Sequence, residues 1–174
     1  MVVLQPFGWE RMVQAIERLR LRFRTAVSAL NAAGIRFLVA GDHAVEFHIA
    51  RVDESAVRNS VDVEILVRAA EDEAARTSLE NGGLRVDRPG ARIRHAVNLL
   101  SALDEELAES EAADGFRVLS LSALVQRKLD TFRDLDRTHL RDLIEVRLVD
   151  HSWTARLPEK LSSRLQQLLD TPDG

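Results

Sequence analysis

Apolar residues recur at close to helical spacing through the first thirty positions of the chain. They are Trp9, Met12, Val13, Ile16, Leu19, Phe23, Val27 and Leu30. A period near 3.6 residues is typical of an amphipathic helix with one buried side. The sequence Asn31-Ala32-Ala33-Gly34 follows, and glycine readily takes the left-handed backbone conformation that ends helices. The pattern therefore predicts one long first helix with Gly34 as its cap.

An apolar run over residues 36–40 predicts a buried strand that ends at Gly41. From Asp42 to Ala50 the pattern is that of a short helix. Glycine lets the backbone turn sharply between these two elements. Because the first N–H groups of a helix have no partner within it, those beside Gly41 could face an anion.

Residues 61–67 alternate apolar and acidic side chains and predict a second strand, which follows a polar loop over residues 51–60. Successive side chains of a strand point to opposite faces, so Asp62 and Glu64 are expected on one face and their apolar neighbours in the core. Neighbouring carboxylates repel each other, and a bound cation relieves that repulsion. The pair is therefore the first candidate for a functional site, and an exposed acidic edge is the alternative.

The rest of the chain is divided by the same periodicities and by turn residues. Four elements are predicted next: a helix over 70–81, a hairpin of 84–87 with 91–100 around Pro89-Gly90, an acidic loop or short exposed helix over 104–114, and a strand over 116–119. Three helices follow: one capped by Ser120 or Ser122 and ending at Phe132, one from Asp136 or Thr138 to Val149, and one that begins at Pro158. Strands first and helices afterwards predict an α+β fold with a mixed sheet.

This order of elements also predicts how the chain is organised. We expect residues 1–120 to form the α+β core with the long N-terminal helix. Residues 121–174 are expected to form a C-terminal helical portion that packs on this core, within one compact domain of ordinary size for 174 residues.

Composition narrows the class of protein. Apolar residues make up 45% of the chain and charged residues 30%, as in soluble globular proteins. The absence of cysteine excludes disulfides, thiolate metal sites and cysteine catalysis, and favours a cytoplasmic protein. A net charge of −4 argues against a duplex nucleic-acid partner. No apolar run approaches the roughly 18 residues of a membrane span and no signal-peptide core is evident, so no membrane partner is expected.

Four features, in this order along the chain, resemble the nucleotidyltransferase superfamily. They are Gly41-Asp42 after the first strand, Asp62-Val63-Glu64 on the second, Lys128 on a later helix, and the segment from Asp136 to Leu143. In that superfamily a strand ends in Gly-Gly or Gly-Ser at the start of a helix, and a second strand carries Asp-x-Asp. A later helix supplies a lysine, followed by a Lys/Arg-Asp-x-x-Asp-Leu-like segment. The resemblance covers residues 36–148 and is closest to small bacterial proteins similar to AbiEii-type toxins and minimal nucleotidyltransferases.

The resemblance implies a nucleotidyltransferase-like mixed sheet and a role for each matching residue. Asp62 and Glu64 would be catalytic and would hold Mg²⁺ (or Mn²⁺), which favours one or two carboxylates together with substrate phosphate oxygens. Nucleotide-binding roles fall to six positions, which are Gly41, Asp42, Arg58, Lys128, Arg137 and Asp142. The implied activity is transfer of a nucleoside monophosphate from a nucleoside triphosphate to an unidentified acceptor: a protein side chain, an RNA end or a small molecule.

The chain departs from the superfamily pattern at three places. Asp42 replaces a small residue and adds negative charge where phosphates are expected, and Glu64 replaces the second aspartate. Many members carry a third carboxylate on a neighbouring strand, but the expected strand, 92–100, offers His95 or Asn98. An amide cannot accept the proton of an attacking hydroxyl, and losing a general base typically costs roughly 10²–10⁴ in rate.

These departures define an alternative function. The chain would be a catalytically degenerate nucleotidyltransferase-fold protein that binds a nucleotide or a protein partner. The partner could be a cognate antitoxin, as in a toxin–antitoxin or defence pair. The long first helix and the leucine-rich tail could also serve self-association, which is compatible with either function.

Histidines offer a further interpretation. His43 and His48 lie about one helical turn apart, but a lone pair on a short helix is more often structural than a metal site. His139 is expected to be a surface or hydrogen-bonded residue rather than a base. The sequence contains no phosphate-binding motif of the Gly-x-x-x-x-Gly-Lys type.

Overall fold

The computed structural model describes residues 8–58, 62–87 and 96–171, which form a five-stranded mixed sheet flanked by helices. Its strands are β1 (Phe37–Ala40), β2 (Val63–Val67), β3 (Val97–Ser101), β4 (Glu111–Ala113) and β5 (Phe116–Val118). Its α-helices are α1 (Trp9–Ala32), α2 (Gly41–Ala50), α3 (Asp72–Asn81), α4 (Asp104–Ala108), α5 (Leu121–Thr131), α6 (Asp134–Glu145) and α7 (Glu159–Asp170). The predicted α+β class with helices at the C-terminal end is confirmed.

The strand register brings three distant segments to one end of the sheet. The spatial order is β3-β2-β1-β5-β4, with β1 antiparallel to β2 and β2 parallel to β3. Glu64 of β2 therefore pairs with Ala40 on one side and with Asn98 on the other. Since Gly41 directly follows Ala40, the turn into α2 lies beside Glu64.

Burial along β2 confirms the predicted core face but does not alternate strictly, because Leu66, on the same face as Glu64, is also completely buried. The side chains of Val63, Ile65 and Val67 are completely buried, whereas Glu64 is half-buried. The core continues into the helices through Leu30 of α1 and into α3, α5, α6 and α7 through their buried leucines, which are Leu79, Leu124, Leu129, Leu140, Leu143, Leu161, Leu165 and Leu168. Apolar packing between the sheet and the helices thus fixes the position of β2 and, with it, the position of Glu64.

The long first helix is confirmed, and its end has the predicted cap. Gly34 has a positive φ of 67°. The N–H of Ile35 donates to the carbonyl of Leu30 at 3.0 Å, the hydrogen bond of a left-handed helix ending. Of the two serines proposed to cap α5, Ser120 accepts a hydrogen bond from the N–H of Ala123 at 3.3 Å.

The hairpin predicted around Pro89-Gly90 is wrong where the structure describes it. The isolated bridge between Val86 and Val97 is parallel, not antiparallel. The N–H of Val97 donates to the carbonyl of Arg85 at 2.7 Å, and the N–H of Asp87 donates to the carbonyl of Val97 at 2.9 Å. A Pro-Gly pair signals a turn but carries no information about pairing direction. The predicted turn at Pro89-Gly90 lies outside the described residues.

Two further elements differ from prediction. The acidic segment 104–114 contains α4 as expected, but also the short strand β4, which pairs antiparallel with β5. Helix α6 begins at Asp134 rather than at Asp136 or Thr138, because the Asp136 carboxylate accepts the backbone N–H of Arg133 at 3.1 Å and so caps the helix. It ends at Glu145, short of Val149.

No helix in the part of the chain that the structure describes combines the length and the apolar character needed to cross a membrane.

Candidate functional site

A cavity of about 990 Å³ opens at the end of the sheet where β1 turns into α2. The residues that line it include Gly41 at this turn and the polar side chains of Glu64, Asn98, Lys128, Arg133 and Asp136. They come from the start of α2, from β2, β3 and α5, and from the first turn of α6 with the residue before it. Helix α3 contributes Asp72, Glu73, Arg76 and Glu80 to the same cavity. Its volume lies within the range of small-molecule sites.

Gly41 and Glu64 are in direct contact. Gly41 has a positive φ of 58°, a conformation that residues with a Cβ atom rarely adopt. A Cβ atom built at this position would lie 2.6 Å from Cδ of Glu64 and closer still to its Oε2. Glycine is therefore required here for two reasons, the backbone conformation and the carboxylate packed against it.

The Glu64 carboxylate lies in a desolvated position on the cavity wall. Burial raises its pKa, the positive charge of Lys128 opposes this effect, and the negative charge of Asp42 adds to it. Among the described residues no hydrogen bond to this carboxylate is found. A desolvated carboxylate of raised pKa in a concave site is a feature of functional sites more than of structural ion pairs.

Lys128 is 6% exposed and lies near His139, Asp136 and Glu64. Its Nζ is 2.8 Å from Nδ1 of His139 and 3.7 Å from Oδ1 of Asp136. Burial lowers its pKa, and the nearby charges of Glu64 and Asp136 oppose that shift. On the other side of the imidazole, Nε2 of His139 faces Oδ1 of Asp42 at 3.5 Å.

Asp136 fixes Arg133 at the edge of the cavity. Its carboxylate accepts hydrogen bonds from Nε of Arg133 at 2.8 Å, from Oγ1 of Thr131 at 2.8 Å and from the Arg133 backbone N–H. Burial raises the pKa of Asp136, but these hydrogen bonds and the charge of Lys128 outweigh it, so its pKa lies below the ordinary value. Asp136 is therefore ionised at neutral pH and holds a guanidinium beside the cavity.

Of the residues predicted from the sequence, the structure brings Gly41, Glu64 and Lys128 together on one cavity. Asp62 is half-buried and is not among the residues that line this cavity. Its charge acts on Arg22 of α1, whose pKa is lowered by burial and raised by Asp62. The two acids thus differ in their surroundings although they are only one residue apart.

Three other predicted residues surround a separate, small cavity of about 20 Å³. Arg58 forms an ion pair of 2.9 Å with Asp142, and Asp42 lies at the same cavity. Burial raises the pKa of Asp142, and Arg58 opposes the shift. Arg137 is not with them: it pairs with Asp134 and lies over the ring of Phe132.

The residues present fit a magnesium ion only in part. In the described ranges, no group of three or more histidine, cysteine or acidic side chains could hold a metal. Of the acids that line the cavity, Asp136 already accepts hydrogen bonds from Arg133, Asp72 pairs with Arg76, and Asp72, Glu73 and Glu80 belong to α3, whereas Glu64 is the acid on β2 beside Gly41. Since Mg²⁺ often takes one or two protein carboxylates and completes its shell with phosphate oxygens and water, Glu64 would hold it together with a bound ligand.

Sequence reasoning missed Arg133 and the roles of Asp136 and His139. A signal was present, because Asp136, His139, Leu140 and Leu143 occupy positions i, i+3, i+4 and i+7, which share one face of a helix. All four are buried in α6. Polar residues at the apolar positions of an amphipathic helix indicate a buried polar contact.

The histidine pair of α2 has structural partners. Nδ1 of His43 is 2.9 Å from the Glu46 carboxylate, and Nε2 of His48 is 3.0 Å from the carbonyl of Leu119. The two rings therefore contact different groups rather than a common site. His139 is buried and hydrogen-bonded.

No family model matches the chain, and the comparison with curated proteins found no match either. The nucleotidyltransferase resemblance therefore depends on the motifs of the chain itself and on where its fold places them.

Proposed function

We propose that this chain belongs to the nucleotidyltransferase superfamily and binds a nucleoside triphosphate in the large cavity. The observation that supports this most is that Gly41, Glu64 and Lys128, which are far apart in sequence, line the same cavity. They carry three of the four motifs of the resemblance. A structural role alone gives no reason for a glycine turn, a desolvated carboxylate and a buried ammonium to meet at an open cavity.

Each residue has a physical role in this proposal. The turn at Gly41 lets phosphate oxygens approach the backbone at the start of α2. Lys128 and Arg133 supply positive charge to those oxygens. Glu64 would hold Mg²⁺ (or Mn²⁺), which screens phosphate charge when bound. Without a cation there, the Glu64 carboxylate repels a triphosphate, so binding is expected to need the metal.

The first candidate activity is transfer of a nucleoside monophosphate to a protein, RNA or small-molecule acceptor. The second candidate is a degenerate member that binds the nucleotide, or a partner such as an antitoxin, without transfer. Two observations favour the second. Asn98, an amide, is the residue that β3 aligns with Glu64, and Asp62 is not among the residues lining the cavity.

Thermal stability with ATP, GTP, CTP or UTP, each with and without Mg²⁺, tests the binding. At one hundred times the dissociation constant a ligand adds about 2.7 kcal/mol, which is a rise of roughly 5–10 °C in Tm for a chain of this size. We expect Lys128→Met to lose this rise. The chain has one other lysine, Lys160, which is exposed, so Lys160→Met is the matched control and should keep it. The absence of a shift with every triphosphate, or an equal shift in both variants, would contradict the proposal.

Transfer is tested by incubating the protein in a cell lysate with α-³²P-labelled nucleoside triphosphates. The first candidate predicts that a component of the lysate is labelled by the parent and not by Asp62→Ala or Glu64→Gln. Equal labelling by Glu64→Gln and the parent would rule out the role given to Glu64. Metal-dependent binding without any labelling by the parent would support the second candidate.

A further inference from the structure

We propose that His139 is a positioning residue, which holds the Lys128 ammonium at the cavity while leaving its charge available to a ligand. This contact joins α5 to α6 in the ligand-free protein, and its consequence for ligand binding rests on the proposed function.

The protonation pattern follows from the partners of the ring. An ammonium group only donates hydrogen bonds, so Nδ1 of His139, which is 2.8 Å from Nζ of Lys128, must be the acceptor. A neutral imidazole then carries its hydrogen on Nε2, which faces Oδ1 of Asp42 at 3.5 Å. Burial lowers the pKa of His139 and the charge of Lys128 lowers it further, which favours this neutral form.

A neutral acceptor suits a lysine that has to bind phosphate. A buried ammonium needs hydrogen-bond partners, and a carboxylate partner would neutralise its charge. The charges of Glu64 and Asp136 both act on Lys128, but the Asp136 carboxylate lies 3.7 Å from Nζ and already accepts hydrogen bonds from Arg133 and Thr131. The imidazole of His139 satisfies one N–H of Lys128 and restricts a side chain with several rotatable bonds, and it removes none of the charge.

The same arrangement accounts for Asp42, the residue that departs from the superfamily pattern. Asp42 is 7% exposed and lies at the small cavity rather than among the residues that line the large one. Its carboxylate lies 3.5 Å from Nε2 of His139, and its negative charge favours the tautomer that carries the hydrogen on that nitrogen. The acidic residue after Gly41 then contributes to the site through the imidazole, although its charge also acts on Glu64 and Lys128.

Nitrogen NMR of the ligand-free protein tests the contact directly, because the chain has two lysines and five histidines and the signals can be assigned by substitution. In protein labelled with ¹⁵N-histidine and ¹⁵N-lysine, we expect His139 to be neutral at pH 7 with the hydrogen on Nε2. Lys128→Met should shift its Nδ1 signal, and the control Lys160→Met should leave it unchanged. A hydrogen on Nδ1, or an Nδ1 signal that ignores Lys128→Met, would overturn the proposal.

Two amide variants then separate positioning from simple packing. In His139→Asn the side-chain oxygen can occupy the place of Nδ1 and accept from Lys128. In His139→Gln the amide instead reaches the place of Nε2, towards Asp42. We expect His139→Asn to keep the triphosphate affinity within about threefold and His139→Gln to lose about tenfold, the effect of one hydrogen bond to a charged group.

If each variant loses triphosphate affinity in proportion to its loss of Tm, and His139→Asn binds no better than His139→Gln, a positioning role is contradicted. If the parent binds no triphosphate, the proposed function fails, but the tautomer and the response to Lys128→Met still decide the inference about His139. The same NMR measurement decides it if either amide variant does not fold.

Discussion

Glu64 costs the folded protein free energy at neutral pH. Its carboxylate is desolvated beside the Gly41 turn, its pKa is raised by burial, and the described residues give it no hydrogen bond. Lys128 compensates only in part, since the pKa remains raised. A residue that lowers stability at a functional site is an example of the trade-off between stability and activity, and the position of Glu64 on the cavity wall fits that description.

Glu64→Gln should therefore raise the free energy of unfolding by roughly 1 kcal/mol at pH 7, because it removes a buried charge and keeps the shape. The folded state binds the Glu64 proton more strongly than the unfolded state, so this group stabilises the fold below its unfolded pKa of about 4.3 and loses that contribution as pH rises through the folded pKa. The advantage of Glu64→Gln should thus shrink from pH 7 to pH 4.5 in urea denaturation. Glu109→Gln, at an exposed position, should show no such trend.

At the scale of elements, the junction between β1 and α2 combines a glycine turn, which the sequence signals locally, with a contact to Glu64 of the neighbouring strand. The glycine at the end of an apolar strand predicted a turn, and the turn is present with a positive φ. The sequence did not reveal that the carboxylate of the neighbouring strand packs against that glycine. Register supplies this contact, since Ala40 pairs with Glu64.

Gly41→Ala should be more destabilising than Gly34→Ala, and the difference measures the contact with Glu64. Both glycines have positive φ, so both variants bear a left-handed penalty of roughly 1–2 kcal/mol. A Cβ atom at Gly34 meets nothing within 4 Å, whereas at Gly41 it collides with the Glu64 side chain. Urea denaturation of both variants, and of Gly41→Ala combined with Glu64→Ala, tests this. Equal losses in the two single variants, or no recovery in the double variant beyond additivity, would show that the contact is unimportant.

The elements that could be predicted are those that a periodic pattern specifies. The 3.6-residue period predicted α1, and the alternation along β2 predicted that Val63, Ile65 and Val67 are buried, although Leu66 on the other face is buried as well. The pairing of residues 84–87 with β3 was predicted in the wrong direction, because Pro89-Gly90 reports only a turn. The strand β4 was missed because three residues that begin with Glu111 carry too little β-propensity to be recognised without their partner β5.

At the scale of the whole molecule, the candidate site depends on contacts between segments that are distant in sequence. Gly41, Glu64 and Lys128 could be named from short motifs, since each motif fixes its own residue type. The partners of Asp42 and Asp142 could not, because His139 and Arg58 reach them only after α2 and α6 have packed. Motifs therefore identified the wall of the cavity but not the buried polar contacts behind it.

The charges of Glu64 and Lys128 on that wall predict that Glu64→Gln changes triphosphate affinity in opposite directions without and with a divalent cation. In the absence of a divalent cation, the Glu64 carboxylate opposes the charge that Lys128 offers to a triphosphate, so Glu64→Gln should tighten metal-free binding. In the presence of Mg²⁺, the same variant lacks the carboxylate that would hold the ion, so it should weaken binding, by about tenfold if one charge-assisted contact is lost. Isothermal titration of ATP in EDTA and in excess Mg²⁺ measures both effects. Weakening under both conditions would mean that Glu64 only maintains the shape of the cavity, and no change under either would place the triphosphate elsewhere.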